Sequence, residues 1–381
     1  MPYLPRVIEK AFLESLSLTP VVGVLGPRQS GKSTLIQHLL GDQYRYVTFD
    51  QQEMRDIFYS DPNRFMEQYN HHVVFDEVQK LPEIFEFIKI AVDCHRETYG
   101  KFVLTGSSQF SFVKGITESL AGRIGLLTLL PFQFSEIPKE LRQPSIYCGG
   151  YPELVNRHYA GLELWYSSYL TTYLEKDVRS ISEIGNIRDF TRFIRLLAAN
   201  VSQTLNMSHF ANDLGVSVST INRWLSVLEA SYIIFLLPPY YKNYGKRLVK
   251  SPKIYFYDTG LVAYLTRIKN KELFENGPLT GPLFENYIIS ETKKKLLHHN
   301  QHNELYYFRT NHGVEVDLII DWFHYKEVIE IKFSQTFNSK MIQPLSTLLE
   351  PSDKGFLVYR GETRVYSDNL SLINYTDYLE T

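Results

Sequence analysis

The stretch 21–40, VVGVLGPRQSGKSTLIQHLL, decides the fold. An apolar strand, VVGVLG (21–26), runs into Gly26-Pro27-Arg28-Gln29-Ser30-Gly31-Lys32-Ser33, which matches G-x-x-x-x-G-K-[ST], and a helical run begins at Thr34. The chemistry explains the residue types. Glycines let the backbone wrap phosphates, the amides and helix N-terminus offer positive partial charge, and Lys32 reaches the β and γ oxygens. Ser33 supplies a hydroxyl to Mg²⁺. Residues Gly26, Pro27, Arg28, Gln29, Ser30, Gly31, Lys32, Ser33 and Thr34 are thus the candidate nucleotide cradle.

Working outward, HVVFDE (72–77) is an apolar strand ending in two carboxylates. A parallel sheet would place Asp76 at the strand's C-terminal edge, beside the phosphate loop, where it holds the Mg²⁺ shell. The adjacent Glu77 is placed to polarise an attacking water as general base. The next strand, KFVLTGS (101–107), ends in polar residues, and Ser107 is expected to sense the γ-phosphate. Arg28 and Arg123 each touch phosphate, Arg123 across a subunit interface, or else form surface salt bridges. With YRYVTFD (44–50) and RIGLLTLL (123–130), the pattern reads as βαβ units on a parallel sheet. No N-K-x-D guanine motif occurs, so ATP is favoured over GTP.

The 381 residues suffice for two or three domains at about 150 residues each. With 44% hydrophobic and 14% aromatic residues the chain supports packed cores and excludes broad disorder. A net charge of −2 excludes a bulk polycation, so any nucleic-acid contact must come from a local patch. Two cysteines exclude a disulfide framework and fit a reducing cytosol. The longest apolar runs, such as 125–130 and 233–239, fall far short of the ~20 residues of a membrane span. A soluble, cytoplasmic protein without a signal peptide is expected.

The motifs GPRQSGKST, VVFDEVQK, LTGSSQ, SLAGR, PFQFSEI and GGYPE resemble those of the prokaryotic AAA+ family of ATP-binding proteins, which carry a C-terminal domain of unassigned function. TTYLEKDV, KRLVKSPKIYFYDTGL, GPLFENYI and EVDLII with VIEIK extend the resemblance over nearly the whole chain. It implies a P-loop AAA+ ATPase domain with ATP and Mg²⁺ as cofactors. Apolar residues at helical spacing make 162–201 helical. Residues 208–214, a Gly215 turn and a second helix from near Ser219 then form a helix-turn-helix pattern with Phe210, Leu214, Val216, Ile221, Leu225 and Leu228 as its core. The following apolar run and a strand at 253–257 suggest a winged version. Lys242, Lys246, Arg247, Lys250 and Lys253 lie among tyrosines with no intervening acid, a combination that suits phosphate contact with stacking. Winged helices also serve ATPases as protein-interaction lids, so both readings stand.

After a helix at 282–297, strands are expected at 304–308, 314–321, 327–332 and 355–359. Glu315-Val316-Asp317 and Glu330-Ile331-Lys332 sit in apolar β-runs, where alternation puts Glu315 with Asp317 and Glu330 with Lys332. Buried carboxylates there need a compensating cation or metal. An Asp, a hairpin and E-x-K resemble the PD-(D/E)xK nuclease-like fold, and Glu285 in PLFENYI matches its additional helical acid. That resemblance implies Mg²⁺ on Asp317 and Glu330, with Lys332 orienting water for phosphodiester attack. The Asp lacks the preceding Pro common in that superfamily, and a catalytically silent domain is the alternative. His298 and His302 have zinc-compatible spacing in a loop-like sequence, and Lys293, Lys294 and Lys295 read as a solvated helix face.

The expected architecture is α/β: an AAA+ domain (1–145), a helical linker or lid (146–204), a winged helix (205–265) and an α/β nuclease-like domain (266–381). The leading expectation is an ATPase acting on DNA, with nucleotide state controlling the nuclease centre. Its rivals are an ATP switch that regulates transcription or a protein partner, and a protein remodeller. A homo-oligomer is compatible with all three.

Overall fold

Helix α1 (Glu9–Leu18) leads into β1 (Val21–Leu25), a strand buried at every position. In this computed structural model, which describes residues 3–106, 119–173, 187–240, 251–310 and 313–380, β1 lies inside a five-stranded sheet. Its companions are β2 (Arg45–Thr48), β3 (Val73–Asp76), β4 (Phe102–Gly106) and β5 (Ile124–Thr128), in the order β2-β3-β4-β1-β5, all parallel. Among the described residues, four further helices belong to this unit: α2 (Lys32–Leu40), α3 (Gln52–Ser60), α4 (Pro62–Gln68) and α5 (Ile84–Asp93). Period-two alternation divides the sheet chemically. Val22, Val24, Val74 and Val103 join Phe12 of α1 and Leu35 and Ile36 of α2 in an aliphatic core. Phe75 stacks instead with Phe102, one strand over, and with Phe49 and Phe65. The five strands expected from sequence are all present, each trimmed by one to three residues at its ends. β4 stands between β1 and β3, so Asp76 lies on the next strand but one from the strand that leads into the phosphate loop.

The chain divides into two units, 1–132 with 230–232 and 297–301, and 133–229, 233–296 and 302–381. The second opens with α6 (Arg142–Cys148), α7 (Pro152–Asn156), α8 (Leu162–Tyr173) and α9 (Ile187–Ala199). Helices α10 (Met207–Leu214) and α11 (Val218–Ala230) follow, separated by Gly215 at φ 68°, and β6 (Ile234–Leu237) pairs antiparallel with β7 (Lys253–Phe256). Phe210, Leu214, Ile221, Leu225 and Leu228 are buried as expected, whereas Val216 is half-buried. Then come α12 (Thr259–Thr266), α13 (Lys271–Glu275) and the 19-residue α14 (Thr280–His298). The remaining elements are β8 (Leu305–Arg309), β9 (Glu315–Asp321), β10 (Lys326–Ile331), α15 (Gln343–Leu348), β11 (Lys354–Tyr359), β12 (Arg364–Ser367), β13 (Leu370–Asn374) and α16 (Tyr375–Glu380). The six strands form one mixed sheet, β12-β13-β11-β10-β9-β8. Sequence reading anticipated neither β12 nor β13; β12 is exposed at every position, so it has no apolar face to read.

Asp258 explains why GGYPE and YDTG are spelled as they are. It caps α12 by accepting from Leu261 N–H at 3.0 Å, and also accepts from Gly150 N–H at 2.8 Å and Tyr166 O–H at 2.6 Å. A Cβ on Gly149, which has φ 84°, would stand 2.4 Å from the Tyr166 oxygen; one on Gly260 would stand 2.3 Å from the Cys148 carbonyl oxygen. Both glycines are therefore required by close approach. Gly260→Ala should lower stability by about 1–3 kcal/mol, read from the urea midpoint. Gly281→Ala, where a Cβ would meet nothing within 4 Å, should leave it nearly unchanged.

Candidate functional site

Two arrangements concentrate the chemistry, one in each unit. At the end of β1 the chain turns through Gly26 (φ 146°), Gln29 (φ 61°) and Gly31 (φ 97°), and Gly31 is the N-cap of α2. A Cβ on Gly26 would lie 2.0 Å from the Leu129 carbonyl oxygen, so only glycine fits there. Lys32 is 8% exposed, and its ammonium donates to the Gly26 and Pro27 carbonyls at 2.9 Å each. Ser30 Oγ is buried with no hydrogen-bond partner. A folded-back ammonium, an orphaned hydroxyl and a helix N-terminus at one loop fit a polyphosphate, which would satisfy all three. Ser33 and Arg28 are half-buried beside them, while Thr34 is exposed on the first turn of α2.

Facing the loop, Asp76 accepts a hydrogen bond from Thr105 Oγ of β4, and Glu77 N–H approaches the same hydroxyl at 3.5 Å. Tyr46 of β2 stands near both Ser33 and Asp76, and desolvation of its ring first, then the Asp76 and Glu77 charges, pushes its phenol up. Glu77 has left-handed backbone, φ 54°, and its carboxylate takes the Gln79 side-chain amide. Ser33 and Asp76 thus lie in one neighbourhood, around a tyrosine that sequence reasoning missed. It also missed Arg6, whose buried guanidinium donates to the Ser30 carbonyl at 2.9 Å and to the Leu130 carbonyl at 2.7 Å, over the Phe132 ring. Arg123 makes a two-point ion pair with Asp93 at 2.8 and 2.9 Å, the surface-salt-bridge alternative. Ser107 lies outside the described residues.

In the second unit, the register that sets Ile329 opposite Leu318 carries Glu330 to the level of Asp317. Ile331 N–H donates to Asp317 Oδ2 at 2.8 Å. Lys332, just past β10, pairs with Glu330 and lies 3.7 Å from Asp317 Oδ2. Glu285 of α14 accepts from Tyr255 O–H at 2.6 Å. Lys253 lies 3.0 Å from Glu285, 2.6 Å from Glu315 and 3.9 Å from Asp317. Burial, then the Asp317 charge, pushes the Glu330 and Glu285 carboxyls up, against the pull of Lys332 and Lys253 respectively. Burial works to lower both ammoniums, but the surrounding carboxylates outweigh it and raise them.

Glu285, Asp317, Glu330 and Lys332 thus share one locality. The oxygen donors suit a hard divalent cation, and the second Glu330 oxygen is buried without a partner. Yet among the described residues no three His, Cys, Asp or Glu side chains are disposed to hold a metal ion. Two ammoniums stand among the carboxylates instead. Lys253 corrects the sequence expectation: it is 3% exposed and ion-paired internally, so it is not offered to DNA. The alternation of KIYFYDTG, which puts Lys253 and Tyr255 on one face, was the signal for it. Lys242, Lys246, Arg247 and Lys250 lie outside the described residues. Lys294 is also not solvated; it is buried against Glu291 at 2.7 Å. His298 is buried and His302 exposed, so they do not form a pair.

Residues 18–138 match the family described as AAA domain, 139–272 a domain of unknown function (DUF8612), and 280–378 a domain of unknown function (DUF4143). Uncharacterized proteins of Mycobacterium tuberculosis and Mycobacterium bovis are each 30% identical over 324 residues, covering 84% of this chain and 72% of theirs. The Walker-type ATPase of Pyrococcus abyssi is a solved structure at 15% identity and TM-score 0.48, covering 68% of this chain and 94% of that one. Among the described residues no helix is long and apolar enough to cross a membrane.

Removing a cation from a buried carboxylate cluster is more damaging than removing an exposed one. Lys253→Met should lower stability by about 3–5 kcal/mol. Lys332→Met, with a side chain 40% exposed, should cost clearly less, with both read by chemical denaturation.

Proposed function

The chain belongs to one family with the two mycobacterial relatives and carries an AAA domain over residues 18–138, and from that premise we propose that it hydrolyses ATP with Mg²⁺ and couples the nucleotide cycle to cleavage of DNA. The ATPase half rests on the phosphate loop: two glycines in left-handed or closely packed backbone, a buried lysine and an unpaired buried hydroxyl. ATP's phosphates would draw the Lys32 ammonium off the Gly26 and Pro27 carbonyls and take the α2 amides as donors. Glu77 holds a water in line with the γ-phosphate and accepts its proton. Ser33 and Asp76 are the residues that would hold Mg²⁺, which would supply positive charge to the phosphates when bound.

The nuclease half rests on the β9–β10 hairpin, which presents Asp317, Glu330 and Lys332 together with Glu285 from α14. Asp317 and Glu330 are the carboxylates for a divalent ion, and the partly exposed Lys332 is the group directed to water and phosphate. The basic run Lys242, Lys246, Arg247 and Lys250 is assigned to backbone contact with DNA on its composition, within a winged-helix reading of 205–265. A second reading has specific support. Two lysines already compensate the carboxylates, which suits an ATP switch acting on a protein partner through a silent centre.

Plasmid incubated with Mg²⁺ or Mn²⁺, with and without ATP, separates the two. Cleavage that Asp317→Asn and Lys332→Ala abolish, with ATP hydrolysis intact, supports the nuclease; no cleavage under any condition supports the switch. Independently, Lys32→Ala should lose ATP binding, while Glu77→Gln should bind ATP and fail to hydrolyse it. Hydrolysis at the wild-type rate by Glu77→Gln would remove Glu77 as the base.

A further inference from the structure

Lys253 has an unusual post. It lies on β7, opposite Leu237 of β6, yet its ammonium ends among three carboxylates carried by α14 and β9, at 3.0, 2.6 and 3.9 Å from Glu285, Glu315 and Asp317. Tyr307 flanks it, with the ammonium 5.6 Å from the ring centre. It cannot reach water by extending its stem, since the residue is 3% exposed. Lys332 can, with a side chain 40% exposed. An ammonium that gathers carboxylates from two elements performs the electrostatic task of a metal ion, with one charge instead of two. It performs it incompletely, for one oxygen of Glu330, a residue 4% exposed, is left in the interior with no hydrogen-bond partner.

We propose that Lys253 is a built-in counter-ion that stands in for a divalent cation at the Glu285–Asp317–Glu330 centre. Its presence weakens the centre's hold on such an ion. The inference rests on the divalent-cation site of the nuclease reading. The physical argument is competition: Glu285 and Asp317 cannot both close on an ion at the 2.0–2.6 Å typical of oxygen ligands while the ammonium lies between them. Coulomb repulsion between the ammonium and an entering ion acts in the same direction, and in a buried site it is weakly screened. Neutralising residue 253 frees the two carboxylates and leaves the orphaned Glu330 oxygen as a third donor.

The test is Mn²⁺ binding to nucleotide-free, full-length protein, followed by electron paramagnetic resonance and by thermal melting. Lys253→Met should bind one Mn²⁺ per chain at least tenfold more tightly than wild type, and its melting temperature should rise with Mn²⁺ far more than wild type's. Because this variant sheds a cation from a buried cluster, Lys253→Met with Glu315→Gln is measured alongside it. The pair of changes removes one charge of each sign, keeps Glu285, Asp317 and Glu330, and should show the same gain. Adding Asp317→Asn should abolish the gain. Equal Mn²⁺ affinity in wild type and the folded double variant overturns the proposal, as does a gain that survives Asp317→Asn. Wild-type DNA cleavage with no gain of Mn²⁺ affinity would defeat this inference and keep the nuclease reading. A gain without wild-type cleavage would do the reverse.

Discussion

A carboxylate taken out of water must be met by a donor or a cation, and this constraint governs every important locality in the protein. Asp76 is met by the Thr105 hydroxyl. Asp258 is met by two backbone amides and the Tyr166 hydroxyl, and in meeting them it ties α12 to the chain between α6 and α7. Glu291 is met by Lys294 and the Phe134 amide. At Glu285, Asp317 and Glu330 the constraint is met with one oxygen left over. Asp258 and Glu291 are fully met within the fold and read as architecture, whereas Asp76 stands at the nucleotide site. The fourth is open and reads as chemistry.

The phosphate loop obeys the complementary rule for amides. Buried N–H groups at the start of α2 and the Ser30 hydroxyl need acceptors, and a polyphosphate is the ligand that brings many acceptors at once. Arg6 bears on the same loop from outside. By holding the Ser30 and Leu130 carbonyls it spans the loop after β1 and the segment after β5. A guanidinium suits this task because its planar fork presents donors in fixed directions.

How much of this was legible depends on whether the cause is local. The phosphate loop was readable because glycine spacing and a lysine at its end are a local requirement. The strand 72–77, the helix pair around Gly215 and the 315–332 hairpin were readable for the same reason. Glu285 was reachable only through family resemblance, since nothing within PLFENYI marks it. Lys253 was misread because charge next to tyrosine looks alike whether it faces solvent or carboxylates far away in sequence, such as Glu285, Glu315 and Asp317. Arg6, Tyr46 and β4's position between β1 and β3 are products of tertiary pairing that no window around them contains.

The strand order has a consequence for how the chain comes together. β1 is made before both of its neighbours, which begin at Phe102 and Ile124. On a ribosome the most apolar strand of the sheet must wait, unpaired on both edges, until both partners have emerged. Parallel pairings of such long separation are slow to close and leave strand edges open to other chains meanwhile. The nucleotide loop, hinged on that strand, is therefore completed late. Nucleotide, present in the cell throughout, would meet a finished cradle only after the sheet around it has closed, and would then bind and stabilise the folded form alone.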